Sequence, residues 1–382
     1  MPDAGGHDSE ATADSPEPEP EDSADEGIAH PAGLWDGKRW SGPIFDGHFH
    51  LDRDGRYLDA VDDFVRTGGT GLCLVHKPPF ERLHDSIEQV EAAYDDTLAM
   101  AAEVREEFHI DVRVILGPHP VVWAHQRDSL GSEAAAELHL ASVDAAIRRC
   151  RTGTAHGVGE VGRPHYPMPA EVAAEADALF EEVLRRCAAT DLPVQLHVED
   201  AGEATTAAIA RMADAAGMPR ARTVRHYAPA DVSTAFTHGL ASSVNMGRDS
   251  VENLVASLVR QRAASPAKGR NGMPDDDGSA GDGVPGASLA EAALAETSLG
   301  MAPLSEVMLG MAPWHMETDH MDDPRRPGAV LGPKTLPKRT HALGRLLQKP
   351  GPEGGAGWSP EEVTSLLWQM HHVWPIQLYG IP

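Results

Sequence analysis

His48-Phe49-His50 is the first place in this chain where residue type and spacing suggest chemistry. Residues two apart on a strand point to one face, and two neutral imidazoles there suit a divalent cation. In a chain with 20 histidines the pair alone is a weak signal. Its plain alternative is a hydrogen-bonded turn, DGHFHLD, with Asp46 and Asp52 as caps. The signal grows with position. Glu160, His197, His226 and Asp319 each fall at the end of a different short apolar run. Singly they read as a turn acid, a core histidine, a helix cap and a solvated carboxylate. Together with His48 and His50 they are six potential ligands, and the types fit two ions better than one. His48 and His50 with a carboxylate suit one ion, His197 and His226 a second, with Glu160 as a bridge. Asp319 is placed to bind the first ion and to take a proton from water. Paired ions lower the pKa of water and clamp both sides of a displacement, and a carboxylate beside that water serves as general base. Such mixed nitrogen and oxygen ligands accept zinc, manganese, cobalt or magnesium.

Something must bring these six together. Short apolar runs alternate with amphipathic stretches of helical period. The expected strands are 44–48, 71–76, 112–117, 157–160, 194–197, 223–226, 240–245 and 314–319. Between them, 169–189 reads as a helix with Pro169 at its first position and Ala173, Leu179, Val183 and Leu184 on its apolar face. Ser359-Pro360-Glu361-Glu362 reads as a capped helix start. Eight strands alternating with helices predict a single-domain α/β fold, a (β/α)8 TIM barrel, which gathers strand C-termini on one face. The alternative is a doubly wound open sheet.

Two segments fall outside that pattern. Residues 1–35 are rich in Asp, Glu, Pro and Ser and predict a disordered acidic tail. Residues 264–287 predict a flexible acidic, Gly/Ser-rich surface insertion within a domain spanning 43–382. The repeated pentapeptide LGMAP, at 299–303 and 309–313, is too short to define a repeat architecture.

The net charge is −27. Residues 1–27 hold ten carboxylates and no lysine or arginine, so the remainder still carries −17. Only six residues are lysine. An acidic, lysine-poor surface predicts a halophilic protein, in which salt screens self-repulsion; the alternative is an ordinary acidic enzyme. Cys73, Cys150 and Cys187 are too few and too scattered for a disulfide framework or a Cys-rich zinc site. No apolar run of membrane-spanning length and no secretory leader stands out. The expectation is a soluble cytoplasmic protein with no membrane association and no obligate protein partner.

The motifs FDGHFHLD, GPHP (Gly117–Pro120), GVGEVGRPHY (Gly157–Tyr166), QLHVED, RHYAP and ETDHMDDPRRPGAVLGPKT resemble the TatD family of metal-dependent hydrolases, in its archaeal TatD-related branch within the amidohydrolase superfamily. The resemblance runs over residues 43–382 apart from the insertion. It implies a barrel with two divalent ions bridged by Glu160, with His48, His50 and Asp319 around one and His197 and His226 on the other. It implies hydrolysis of phosphodiesters, with deoxyribonuclease activity in better-known members, and places His119 near the site. The chain departs from the family after GEVG, where Leu-Asp-Tyr is usual and Arg163-Pro164-His165-Tyr166 stands instead. The family's substrate contacts therefore do not carry over to this chain.

Substrate contacts must therefore come from this chain's own residues. Arg163, Arg325 and Arg326 are expected to form a phosphate-binding rim, since Arg suits bidentate phosphate contact, with His119 and His165 beside them. The alternative is a set of surface ion pairs. Arg225, Lys334, Lys338, Arg339, His76 and Lys77 are further candidates. The resulting expectation is a metal-dependent phosphodiesterase or deoxyribonuclease, with Asp319 and Glu160 as its catalytic carboxylates and DNA as a candidate substrate. Its rivals are an amidohydrolase, lactonase or esterase, and a non-catalytic metal-stabilised scaffold.

Overall fold

The computed structural model describes residues 31–77, 79–80, 82–264, 308, 310–323, 331–350 and 357–380. All eight expected strands form, with ends within two residues of those read from the sequence. They are β1 (Phe45–His50), β2 (Gly71–Val75), β3 (Asp111–Leu116), β4 (Gly157–Gly162), β5 (Val194–His197), β6 (Thr223–Ala228), β7 (Ala241–Asn245) and β8 (Trp314–Glu317). A two-residue strand, β9 (His320–Met321), follows directly.

Each strand pairs in parallel with the next, in the order β8-β7-β6-β5-β4-β3-β2-β1-β9. β8 bonds to β7 while β9 bonds to β1. One chain segment, residues 314–321, thus carries both edges of the seam and the barrel closes. Thr318, between the two pieces, donates from its backbone N to Asp46 Oδ1 (3.0 Å) and from its hydroxyl to Asp46 Oδ2 (2.7 Å). An open doubly wound sheet, whose strand order reverses partway, is excluded.

Period-two alternation splits the core in two. Leu72, Leu74, Val112, Val114 and Leu116 face outward to the helices, including Leu58–Val65, Ile87–Phe108 and Ser132–Arg151. Cys73, Val75 and Ile115 face inward, where they meet Phe45, Val224 and Ala241. The C-terminal helix Trp374–Tyr379 inserts Leu378 and Tyr379 into this inner cluster. Cys73 is a buried free thiol.

The expected helix after β4 runs Ala170–Ala188, with Pro169 as its cap rather than its first residue. Val183 and Leu184 are buried as expected, joined by Ala176, Phe180 and Cys187; Ala173 and Leu179 are half-buried. Ser359 forms a full capping box with Glu362: its Oγ accepts from Glu362 N (3.2 Å) and Glu362 Oε2 accepts from Ser359 N (2.8 Å).

The acidic tail expected over 1–35 needs a correction at its end. Trp35 is buried, its indole donating to Gln348 Oε1 at 2.8 Å, because the apolar ring packs on Gly344 of the helix Thr335–Leu347. Residues 1–30 and 265–287 lie outside the described residues. Among the described residues no helix is long and apolar enough to cross a membrane.

Candidate metal centre

Three of the strands that carry expected ligands are bulged at the ligand. In β1, Asp46 pairs with Leu72 and Phe49 with Leu74, three steps against two. The extra residue shifts the pleat, so Phe45 reaches the inner cluster while Phe49 faces outward between His48 and His50. β4 makes the same slip between Val158 and Val161, around Glu160, and β6 between Arg225 and Ala228, around His226. β8 breaks outright at Asp319, whose φ of 49° is a left-handed conformation that Asp tolerates better than most residues. Bulges beside active sites re-aim side chains. Gly47 is needed in the first one: a Cβ there would lie 2.0 Å from His315 Nδ1 and 2.8 Å from Ser243 Oγ.

The hydrogen bonds fix which nitrogens face the centre. Gln195 Nε2 donates to the Gly47 carbonyl (3.0 Å) and to Tyr379 OH (2.8 Å). Its Oε1 therefore faces His48 Nδ1, at 2.8 Å, and accepts from it. His50 Nδ1 donates to the Val75 carbonyl at 3.0 Å. Each neutral imidazole then carries its lone pair on Nε2. Those two Nε2 atoms lie 3.0 Å apart, and both lie close to Glu160 Oε1, at 3.0 and 3.1 Å. Asp319 Oδ1 is 3.9 Å from each. Lone pairs from two buried imidazoles and a carboxylate converging on one point suit a cation. The fixing of Nδ1 by an acceptor is the usual outer support of a metal-binding histidine.

Glu160 serves a second cluster with its other oxygen. Oε2 lies 2.9 Å from His197 Nδ1 and 3.3 Å from His119 Nε2. His119 Nδ1 accepts from Val121 N at 3.1 Å, so His119 donates to Glu160 from Nε2. In this tautomer His119 positions the carboxylate rather than offering it a rival lone pair. His197 Nε2 meets His165 Nδ1 at 2.7 Å.

His226 stacks on His48, ring centroids 3.6 Å apart, and donates from Nδ1 to Glu317 Oε2 at 3.0 Å. Tyr227 N donates to Glu317 Oε1 at 3.0 Å. One ligand atom from each of His48, His226 and Asp319 lies within 4.8 Å of the others; so do those of His48, His50 and Glu160, and of His119, Glu160 and His197.

Charge makes the same case. Burial, and then the repulsion of Glu317, Glu160 and Asp46, holds the Asp319 carboxyl well above the usual range. Burial pushes Glu317 and Asp46 up to about 7. Burial would also raise Glu160, but His119 and His48 outweigh it and hold it well below the ordinary value. Burial lowers His48 and His119 to about 4 and His226 to about 3, so their rings stay neutral. Four carboxylates packed around neutral imidazoles suit a divalent ion.

The structure thus brings together all six expected ligands, with His119 and His165 beside them. It gives Arg163 a different setting from the open rim expected. Arg163 reaches Asp177 at 3.2 Å and Glu199 at 2.5 Å, so two carboxylates already neutralise the guanidinium. Arg225 is buried against Asp200 and Thr206, Lys77 pairs with Asp52, and Lys334 with Asp63. Arg325 and Arg326 lie outside the described residues.

Sequence reasoning missed Gln195, Glu317 and Tyr379. The first two carried a usable signal, a polar side chain inside an apolar strand two residues from an expected ligand. Tyr379 carried none, for its partner Gln195 is 184 residues away.

The sequence matches the TatD related DNase family over residues 45–257. An uncharacterized protein of Methanocaldococcus jannaschii is 21% identical over 310 residues, 80% of this chain and 88% of that protein. Among solved structures, a TatD homolog from Escherichia coli has a TM-score of 0.49 at 17% identity, over 89% of this chain and 98% of that one. A TatD-like protein from Archaeoglobus fulgidus has a TM-score of 0.43 at 11% identity, over 79% and 92%. The phosphotriesterase homology protein of Escherichia coli, complexed with phosphate, has a TM-score of 0.47 at 12% identity, over 88% and 98%. With more than half its length matched to the family, and buried His/Glu/Asp clusters able to hold metal at the heart of its barrel, this chain belongs to the TatD family of metal-dependent hydrolases.

Proposed function

We propose that the chain hydrolyses phosphodiesters, DNA among them, with two divalent ions. The observation that carries this reading is the division of labour at Glu160. One oxygen faces the lone pairs of His48 and His50, and the other faces His197. In this reading His48, His50, Asp319 and Glu160 would hold one ion, and His197, His226 and Glu160 would hold the other. Bound there, divalent ions supply Lewis acidity and make water a stronger acid. Asp319, slightly exposed and with Glu317, Glu160 and Asp46 nearby, would accept the proton from the attacking water. His119 steadies Glu160 by its hydrogen bond, and Gln195 and Glu317 hold the rings of His48 and His226. The acidic, lysine-poor composition supports work in a salt-rich cytoplasm.

Elemental analysis of the purified protein should find about two ions per chain. A panel of single-stranded DNA, RNA, bis-nitrophenyl phosphate, a lactone and an amide, run with Mg²⁺, Mn²⁺ and Zn²⁺ at low and high salt, should show turnover of the phosphodiesters. Asp319→Asn should abolish it. Full activity in that variant refutes Asp319 as the base, and turnover confined to the lactone or amide refutes the phosphodiester reading.

A further inference from the structure

All nineteen aromatic residues of the chain lie among the described residues, and only three, Phe80, Tyr166 and Tyr227, are largely exposed, at 44%, 37% and 54%. Each meets a different histidine of the centre. Phe80 lies against His119 (5.3 Å between centroids, 83° between planes), Tyr166 against His165 (5.6 Å, 86°) and Tyr227 against His226 (5.9 Å, 71°). They come from the chain after β2, the chain after β4 and β6 itself. None is stacked on its histidine. Tyr166 also lines a cleft of 360 Å³ with Arg163, His165, Met168 and Glu199.

Tyr227 is held outward at a cost. It sits in the β6 bulge with φ 51°, a region a bulky side chain rarely enters. Its backbone N is fixed by Glu317, the carboxylate that also orients His226. An apolar ring is thus kept in water at the mouth of the site by the same groups that build the site.

Three of the cations described nearby do little for a polyanion. Arg163, Arg225 and Lys77 are each held by a carboxylate, and the chain carries −27. Those three groups therefore add little phosphate neutralisation. Stacking on exposed rings needs no charge, and every base offers a face for it.

We propose that Phe80, Tyr166 and Tyr227 form a base-stacking rim that holds unpaired nucleobases flanking the scissile phosphodiester. The inference rests on the phosphodiesterase reading above.

The test uses the full-length enzyme loaded with Mn²⁺ and two single strands, oligothymidylate and the same strand with abasic residues beside the cleaved bond. In the wild type, KM for the abasic strand should exceed that for the intact strand by roughly 5- to 150-fold, the equivalent of about 1–3 kcal/mol of stacking per base. Tyr227→Ala and Tyr166→Ala should collapse that ratio toward one, and Tyr227→Phe should retain it. Equal KM values for both strands in the wild type overturn the stacking rim and leave the phosphodiesterase reading intact. So does a ratio that survives in both alanine variants. Cleavage of neither strand by the metal-loaded wild type refutes the phosphodiesterase reading, and the rim falls with it.

Discussion

Gln195→Met tests the tautomer reasoning at the centre. Gln195 is fully buried, and its amide ties three groups together: the Gly47 carbonyl, Tyr379 OH and His48 Nδ1. Methionine keeps most of the volume and removes every strong hydrogen bond. Two effects separate. The Gly47 carbonyl loses its side-chain donor, which costs about 1–3 kcal/mol of stability. Tyr379 OH loses less, for His315 Nε2 remains 3.2 Å away. The second effect falls on His48. Without an acceptor at Nδ1, its proton can move to Nε2, where Glu160 Oε1 waits at 3.0 Å to accept it. That tautomer carries its lone pair on Nδ1, on the side of residue 195 and away from the centre. Loss of such an outer support typically weakens metal affinity 10- to 100-fold, about 1.4–2.7 kcal/mol. Calorimetric titration of the metal-free variant with Zn²⁺ or Mn²⁺ reads the affinity, and denaturant unfolding without metal reads the stability. If stability drops while metal affinity stays within twofold of wild type, Gln195 only holds the fold together and the tautomer reasoning is wrong.

Other outcomes follow from the same geometry. Glu317→Gln should be as damaging as a larger change, because its oxygen will turn to Tyr227 N and its NH₂ will face His226 Nδ1, forcing the imidazole proton onto Nε2; metal affinity about 10- to 100-fold lower is expected in a titration, and wild-type affinity would count against it. Gly47→Ala places a methyl group against His315 and Ser243; an overpacking cost of about 1–3 kcal/mol should appear in urea unfolding, and a neutral result would mean the β1 bulge gives way freely. Stability should also fall in acid. His371 is buried, accepts from Phe45 N at 3.2 Å, and is lowered from 6.5 to about 3 by burial. The unfolded chain takes this proton first, so the contribution is whole above pH 6.5 and is lost as pH falls from there toward 3, amounting to about 2 kcal/mol by pH 5. Comparing unfolding free energies of wild type and His371→Gln at pH 7 and pH 5 checks this; parallel losses in both proteins would exclude His371 as a source.

Eight of the nine strands, the barrel class and the six ligand candidates were legible in the sequence, because period-two and helical apolar patterns are local and a parallel barrel collects its strand ends. Residues 314–319 read as one strand, but in the structure the strand ends at Glu317 against β7, and His320–Met321 just beyond it forms a second piece that closes the ring on β1. Nothing local marks that seam, since it depends on where β1 lies.

His48 and His50 were visible as a pair from residue type alone. Which of their nitrogens is free was not. That choice is made by Gln195 and by the Val75 carbonyl, and Gln195 is itself oriented by Gly47 and by Tyr379 near the C-terminus. The same holds for Arg163, whose charge the sequence offers to a substrate and whose neighbours Asp177 and Glu199 take it up. Sequence determined which groups are present and roughly which strand ends carry them, since these follow from covalent order and side-chain alternation. Tertiary structure decided protonation, orientation and availability, because each depends on the nearest acceptor or counter-charge, and that neighbour comes from a distant part of the chain.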